Sequence, residues 1–266
     1  MIEFKSVEDT GTESKIAALI YGLPGVGKTA LGLASKRKVC LATCEWEQMQ
    51  LTYRTMKKMG KLNEGSRVVP IHTPADLREL YEYILLHPGE FEVLILDHIS
   101  GFQDLIKESL LRKKNNDEKG KLEALNIGEQ GILIDKTLAL VKLFRDIPGI
   151  HLIVLAHYEE QWSSEQQRHI KPALIGKKLP YRVSGVLNLV GYMQMAVLGQ
   201  EADRFITFIA DERTLTKMHP NLRVNEPANL DFILEKIEGK IDREMEFEAW
   251  EEQNKPQVKS PAKKGK

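Results

Sequence analysis

"YGLPGVGKTA", residues 21–30, is the stretch on which the reading of this chain turns. It matches the pattern G-x-x-x-x-G-K-[ST] through Gly22, Gly27, Lys28 and Thr29. Its flanks give the match its weight. "KIAALIY" (15–21) is a short apolar run that reads as a buried strand, and residues 28–37 carry Ala and Leu at helical density. A glycine-rich turn between strand and helix lets successive backbone N–H groups converge on phosphate oxygens, which side chains would obstruct. The phosphate then rests at a helix N-terminus, where unpaired N–H groups and the dipole favour negative charge. The expected contacts run through Gly22, Leu23, Pro24, Gly25, Val26, Gly27, Lys28, Thr29 and Ala30. Lys28 is expected on the β and γ phosphates of a nucleotide, and the Thr29 hydroxyl on Mg²⁺.

A phosphate loop needs a second acid for the metal. "FEVLILD" (91–97) is a near-continuous apolar run that ends in Asp97, as a central parallel strand does. Ligands in such sheets bind at the carboxyl ends of strands, so Asp97 is expected to hold Mg²⁺. "KVCLATC" (38–44) reads as another strand, followed at once by Glu45. "IHLIVLAH" (150–157) is a fully apolar strand that ends in His157.

Strand and helix alternate through the first part of the chain, which predicts a mainly parallel sheet with helices on both faces. "VLNLVGYMQMAVLG" (186–199) and "RFITFIA" (204–210) predict an antiparallel hairpin around "GQEAD", a late β extension. The expected division is a lead at 1–10, one α/β domain at 11–240, and an acidic helical stretch with a basic, unfolded tail at 241–266. "RKKNNDEKGK" (112–121) reads as a polar loop.

Composition excludes several classes. Lys+Arg and Asp+Glu are equal at 38 each among 266 residues, so no global charge argues for nucleic acid. Any anionic partner must be held by local patches. No apolar run approaches the roughly 18 residues of a membrane span. "MIEFKSVEDT" lacks the basic-then-apolar pattern of a signal peptide, so a cytoplasmic protein with no membrane role is expected. Cys40 and Cys44 on one strand would lie roughly 13 Å apart, too far for a disulfide. They are expected as buried apolar residues of a reducing compartment.

The order and spacing of "GLPGVGKT", Glu45, "LILD" and "LIVLAH" resemble RecA-like ATPases over about residues 15 to 240. Among these, the chain looks most like phage-encoded ones: the RecA-like branch of the Sak single-strand annealing proteins and the phage AAA-domain nucleotide-binding proteins. In AAA+ proteins the water-orienting carboxylate directly follows the metal aspartate; here that position is His98. In RecA-like proteins it ends the strand after the phosphate-loop helix, which here is Glu45, with Glu47 as the competing neighbour. The resemblance therefore implies ATP as the nucleotide, Glu45 as catalytic carboxylate beside Lys28, and His157 as a γ-phosphate sensor. It also implies a homo-oligomer, ring or filament, that acts on single-stranded DNA, with a single-strand-binding protein as a further partner. Two alternatives stay open: a AAA+-like helicase loader or accessory ATPase, and a nucleotide-gated switch with little turnover.

"RHIKPALIGKKLPYR" (168–182) carries five bases, Arg168, Lys171, Lys177, Lys178 and Arg182, and no acid. Gly176 and two prolines argue against a regular helix there. A DNA-contacting loop is expected, with Tyr181 available to stack a base. Trp46 and Trp162 are expected to pack. Lys217, Arg223 and Arg213 are candidates for a basic finger that reaches a neighbouring subunit's nucleotide.

Overall fold

A computed structural model of the chain describes residues 15–117, 124–162, 167–198, 201–209, 211 and 213–254. The expected lead at 1–10 and the basic tail lie outside the described residues, as do parts of 112–121 and of "GQEAD". The elements are β1 (Ala17–Gly22), α1 (Lys28–Leu33), β2 (Val39–Thr43), α2 (Trp46–Lys58), β3 (Arg67–Pro70), α3 (Pro74–Leu86), β4 (Val93–Asp97) and α4 (Ile99–Asp117). Next come α5 (Ile127–Arg145), β5 (His151–Trp162), β6 (Arg168–Pro172), α6 (Leu179–Val186), β7 (Leu189–Leu198), β8 (Glu201–Thr207), β9 (Asn225–Pro227), α7 (Leu230–Ile237) and α8 (Phe247–Gln253).

The strands form one sheet in the order β3-β2-β4-β5-β1-β7-β8-β9, with β6 paired to β5 off this path. Pairs from β3 through to β7 are parallel, while β8 and β9 add on antiparallel. This is the mainly parallel sheet with helices on both faces and an antiparallel extension that the sequence predicts. Each strand alternates its side chains between two cores, as the period of two requires. Leu19, Tyr21, Cys40, Leu94 and Val154 face helices α3, α4, α5 and α6. Ile20, Leu41, Ile95 and Leu155 face α1, α2 and α7. Both faces are covered, which explains why the strands read as continuous apolar runs.

The chain leaves β1 for β2 across the positions that β4 and β5 later fill. Such a jump opens a crevice at the carboxyl ends of β1, β4 and β5. Helix entries are set locally. Thr73 and Asp76 form a reciprocal capping box with Pro74 in the first turn of α3. Asn126 and Glu129 form another at α5.

The structure corrects the sequence reading in several places. α4 continues to Asp117 through much of the expected polar loop, where Arg112 pairs with Glu108 one turn back and Lys114 reaches Glu129 of α5 at 2.7 Å. The segment 168–182 is not an irregular loop. Its first part is β6, antiparallel to the far end of β5, and its last part starts α6, which accepts Pro180 because the first helical turn needs no N–H there. Trp162 does not pack: it is 66% exposed on the β5–β6 hairpin, and Trp46 is exposed as well. α8 seats buried Trp250 against Phe232 of α7, with its indole N–H donated to Glu235 at 2.6 Å.

Candidate functional site

The loop between β1 and α1 turns through left-handed backbone at Gly25 (φ 77°) and Gly27 (φ 105°), conformations that side chains disfavour. A Cβ at Gly27 would also meet the side chain of Arg204 at 3.2 Å. Lys28 opens α1 and folds back beneath the loop. Its Nζ donates to the carbonyls of Gly22 at 2.9 Å and Leu23 at 2.8 Å. Burial lowers its pKa to about 8, against the upward pull of Asp97 and Glu45. The buried ammonium is thus poorly compensated, and an anion in the loop would relieve that cost.

Thr29 donates its hydroxyl to Asp97 Oδ2 at 2.8 Å, which joins the helix start to the end of β4. Burial raises the Asp97 pKa, although the Thr29 bond, His98 and Lys28 work the other way. A hydroxyl and a carboxylate held together, the carboxylate short of compensating charge, are hard oxygen donors of the kind Mg²⁺ takes. The residues present fit that ion.

Glu45 follows β2 and lines one cleft of about 420 Å³ with Gly27, Lys28, Thr29, Asp97, His98 and His157. Glu47 is exposed and does not line it. A larger cleft of about 780 Å³ behind α2, lined by Trp46, Tyr53 and Arg67, contains none of these groups. Its size is no argument against the smaller one, because chemistry follows the convergent polar groups. Glu45 Oε1 lies 3.0 Å from His98 Nε2, and the His98 and His157 rings meet edge to face at 4.2 Å between centroids. Burial, with His98 and Lys28 adding to it, lowers the His157 pKa to about 4, so its ring is neutral at pH 7. Its Nδ1 is buried without a hydrogen-bond partner.

Among the described residues, Glu45, His98 and His157 each bring one ligand atom within 4.8 Å of the others. A transition metal is nonetheless poorly served there. His98 Nδ1 accepts the Gly101 N–H at 3.2 Å, an arrangement that puts an N–H at Nε2, the atom nearest Glu45.

Two cysteines flank this region without joining it: burial raises Cys40 to about 12 and Cys44 to about 11, so neither is a reactive thiolate. Sequence reading missed Arg204, whose Nε–H donates to Val26 O of the phosphate loop at 2.9 Å from β8. It also treated His98 only as a departure from another family's pattern. No local signal could have found Arg204, since 178 positions separate it from its partner.

The five bases of 168–182 do not act as one free patch. Arg168 pairs with Glu160 across the hairpin. Lys171 is buried, with Glu159 at 4.0 Å, and Arg182 pairs with Asp135 of α5 at 3.0 Å. Lys177 and Lys178 have no ion pair among the described residues. Lys177 lines a groove of about 660 Å³ with Trp162, Tyr181 and Arg213. Of the finger candidates, Lys217 donates to Leu187 O at 2.7 Å, and Arg223 pairs inside the chain with Glu246 and Glu226. No helix among the described residues is long and apolar enough to cross a membrane.

Loop, lysine, hydroxyl and strand-end aspartate together define a P-loop nucleotide-binding domain. Residues 14–218 match the family described as AAA domain, and the chain belongs to that family. No curated protein matches the chain. Similar solved structures include a KaiC-like protein of the hyperthermophilic archaeon Pyrococcus horikoshii, at 14% identity and TM-score 0.40, over 77% of this chain and 82% of that one. Another is the flagellar accessory protein FlaH of Methanocaldococcus jannaschii, at 11% identity and TM-score 0.39, over 72% of this chain and 76% of that one.

Proposed function

We propose that this domain hydrolyses ATP in the crevice at the ends of β1, β2, β4 and β5, and couples the cycle to single-stranded DNA in annealing or strand exchange. The observation that carries the hydrolysis is the convergence of Glu45, Lys28, Thr29 and Asp97 on one cleft. Mg²⁺, when bound by Thr29 and Asp97, supplies charge to the phosphates. Lys28 exchanges its two carbonyl partners for phosphate oxygens and keeps its proton there. Glu45 accepts the proton of the attacking water, a task for a carboxylate at the cleft wall. His157, neutral and edge-on to His98, is assigned in this reading to register whether the γ phosphate is present.

The DNA half of the reading has separate support. Exposed Trp162 and Tyr181 line the same groove as Lys177 and Arg213, an aromatic and basic mixture suited to unpaired bases and their phosphates. It is also in keeping with the resemblance to phage-encoded RecA-like annealing proteins. A homo-oligomer completed by a neighbour's basic residue belongs to the same reading, with Arg213 as the least engaged of the finger candidates.

The test is ATP hydrolysis with and without single-stranded DNA, for the wild type and for Lys177→Glu/Lys178→Glu. DNA is expected to raise turnover, and the double reversal to abolish the rise while basal turnover stays. Turnover that responds only to a partner helicase would favour a loader instead. Nucleotide binding without turnover would leave a switch.

A further inference from the structure

We infer that His98 is the positioning residue for Glu45: its Nε2–H holds one carboxylate oxygen and aims the other at the attacking water. The inference rests on the ATPase reading above and names a residue to which that reading gives no part in hydrolysis.

Three observations build it. First, His98 stands between Asp97, the end of β4, and Ile99, the start of α4, so its backbone is fixed by the central strand and by a long helix. Its side chain is buried, whereas that of Glu45 is 38% exposed and is otherwise free to swing. Second, the surroundings of the ring favour one direction for the bond. The Gly101 N–H is shared between the His98 carbonyl at 3.0 Å and His98 Nδ1 at 3.2 Å; with Nδ1 accepting, the ring's N–H is Nε2, 3.0 Å from Glu45 Oε1. The histidine is therefore a donor to the carboxylate, as an orienting group must be. Glu45 Oε2 has no protein partner among the described residues, so it stays available as a base.

Third, the packing around the bond leaves little slack. A Cβ at Gly101 would come within 2.2 Å of Cys44 Sγ, the residue before Glu45, and within 3.5 Å of His98 Cε1. Glycine thus allows α4 to press against the end of β2 and keeps its N–H within reach of the ring. On the other side the ring meets His157 edge-on. A carboxylate held by a fixed donor loses less orientational freedom on reaching the transition state, so the effect belongs to the chemical step and not to nucleotide binding.

The experiment measures steady-state ATP hydrolysis for the wild type, His98→Ala, His98→Gln, Glu45→Gln and the double variant Glu45→Gln/His98→Ala. Nucleotide binding to each variant confirms folding. His98→Ala should lower kcat about tenfold, the size of one lost hydrogen bond to a charged group, with KM within about twofold. His98→Gln, which retains an N–H donor, should recover most of the loss. The double variant should be no slower than Glu45→Gln alone, because there is no carboxylate left to aim. Wild-type kcat in His98→Ala, or an equal tenfold loss in the Glu45→Gln background, overturns the inference. A Glu45→Gln variant that turns over like the wild type overturns the ATPase reading itself, and His98 falls with it. A slow Glu45→Gln beside an unaffected His98→Ala removes the His98 role alone.

Discussion

The two ends of the sheet both bury charge, and they treat it in opposite ways. At the amino ends of β2 and β5, Arg37 holds Glu238 through two bonds of 2.6 and 2.7 Å, and His151 adds a third at 3.0 Å. Nearby, fully buried Lys236 reaches both oxygens of fully buried Glu226 at 3.0 Å and the carbonyl of Arg243 at 2.6 Å. Burial alone would raise Glu238, but Arg37 and Lys240 overcome it and hold its pKa at about 2. At the carboxyl ends the balance is reversed. Lys28 rests on two backbone carbonyls, and burial takes it down to about 8; Asp97 shares one hydroxyl, and burial takes it up. One end satisfies its charges within the chain. The other keeps a cation and an anion short of compensation, which a nucleotide with its metal ion would supply.

Breaking a pair at the satisfied end should have the largest effect. Lys236→Met takes from fully buried Glu226 its closest cation and leaves it, among the described residues, only Arg223, at 3.5 Å and through its backbone N–H at 2.8 Å; the loss should cost about 3 kcal/mol of folding free energy. Denaturant unfolding measures this, and Lys236→Met with Glu226→Leu should recover much of it. A loss below about 1 kcal/mol for the single variant would mean that the pair is not buried as described.

At the other end, Lys28→Ala should leave folding intact or improved, because a desolvated charge is removed. It should weaken nucleotide binding by more than about a hundredfold, since a buried phosphate contact loses its cation. Calorimetric titration with nucleotide, beside thermal unfolding, separates the two effects. Unchanged affinity would refute the phosphate-loop assignment.

The two ends should also answer pH in opposite directions. Lys28 must be protonated to hold phosphate, so affinity should fall as pH rises through about 8, approaching about tenfold per unit beyond it. Lys28→Arg should move that limit up. Glu238 has a depressed pKa, so its contribution to stability is present above the ordinary carboxylate range and lost as pH falls toward about 2. The smallest effect belongs to a charge pair at neither end. Arg182 and Asp135 are both largely exposed, and Arg182→Ala should change stability by no more than about 0.5 kcal/mol.

The sequence made legible what local chemistry decides. The phosphate loop, the apolar strand ending in Asp97, the apolar run up to His157 and Glu45 after β2 are short patterns whose meaning depends on near neighbours, and the parallel sheet follows from their order; β5 itself continues beyond His157 to Trp162. What stayed hidden depends on partners far along the chain. The bases of 168–182 read as free because their acids, Glu159, Glu160 and Asp135, belong to other elements. Trp162 read as core because large aromatics usually are, while its place on a projecting hairpin came from β5 running past the sheet. His98 read as a mismatch because its partner, Glu45, lies 53 positions away. The extra turns of α4 depend on an ion pair to α5 that no helical period announces.

Glu45 is the point on which the proposed hydrolysis rests, and it can be tested without assuming any partner. Phosphate release from a single turnover should be followed for the wild type and Glu45→Gln, with nucleotide affinity measured on the same samples. Affinity within about twofold and a rate reduced by about 10²–10⁴ is the result expected of a lost general base. A Glu45→Gln variant that releases phosphate at the wild-type rate, while Glu47→Gln does not, would contradict the account.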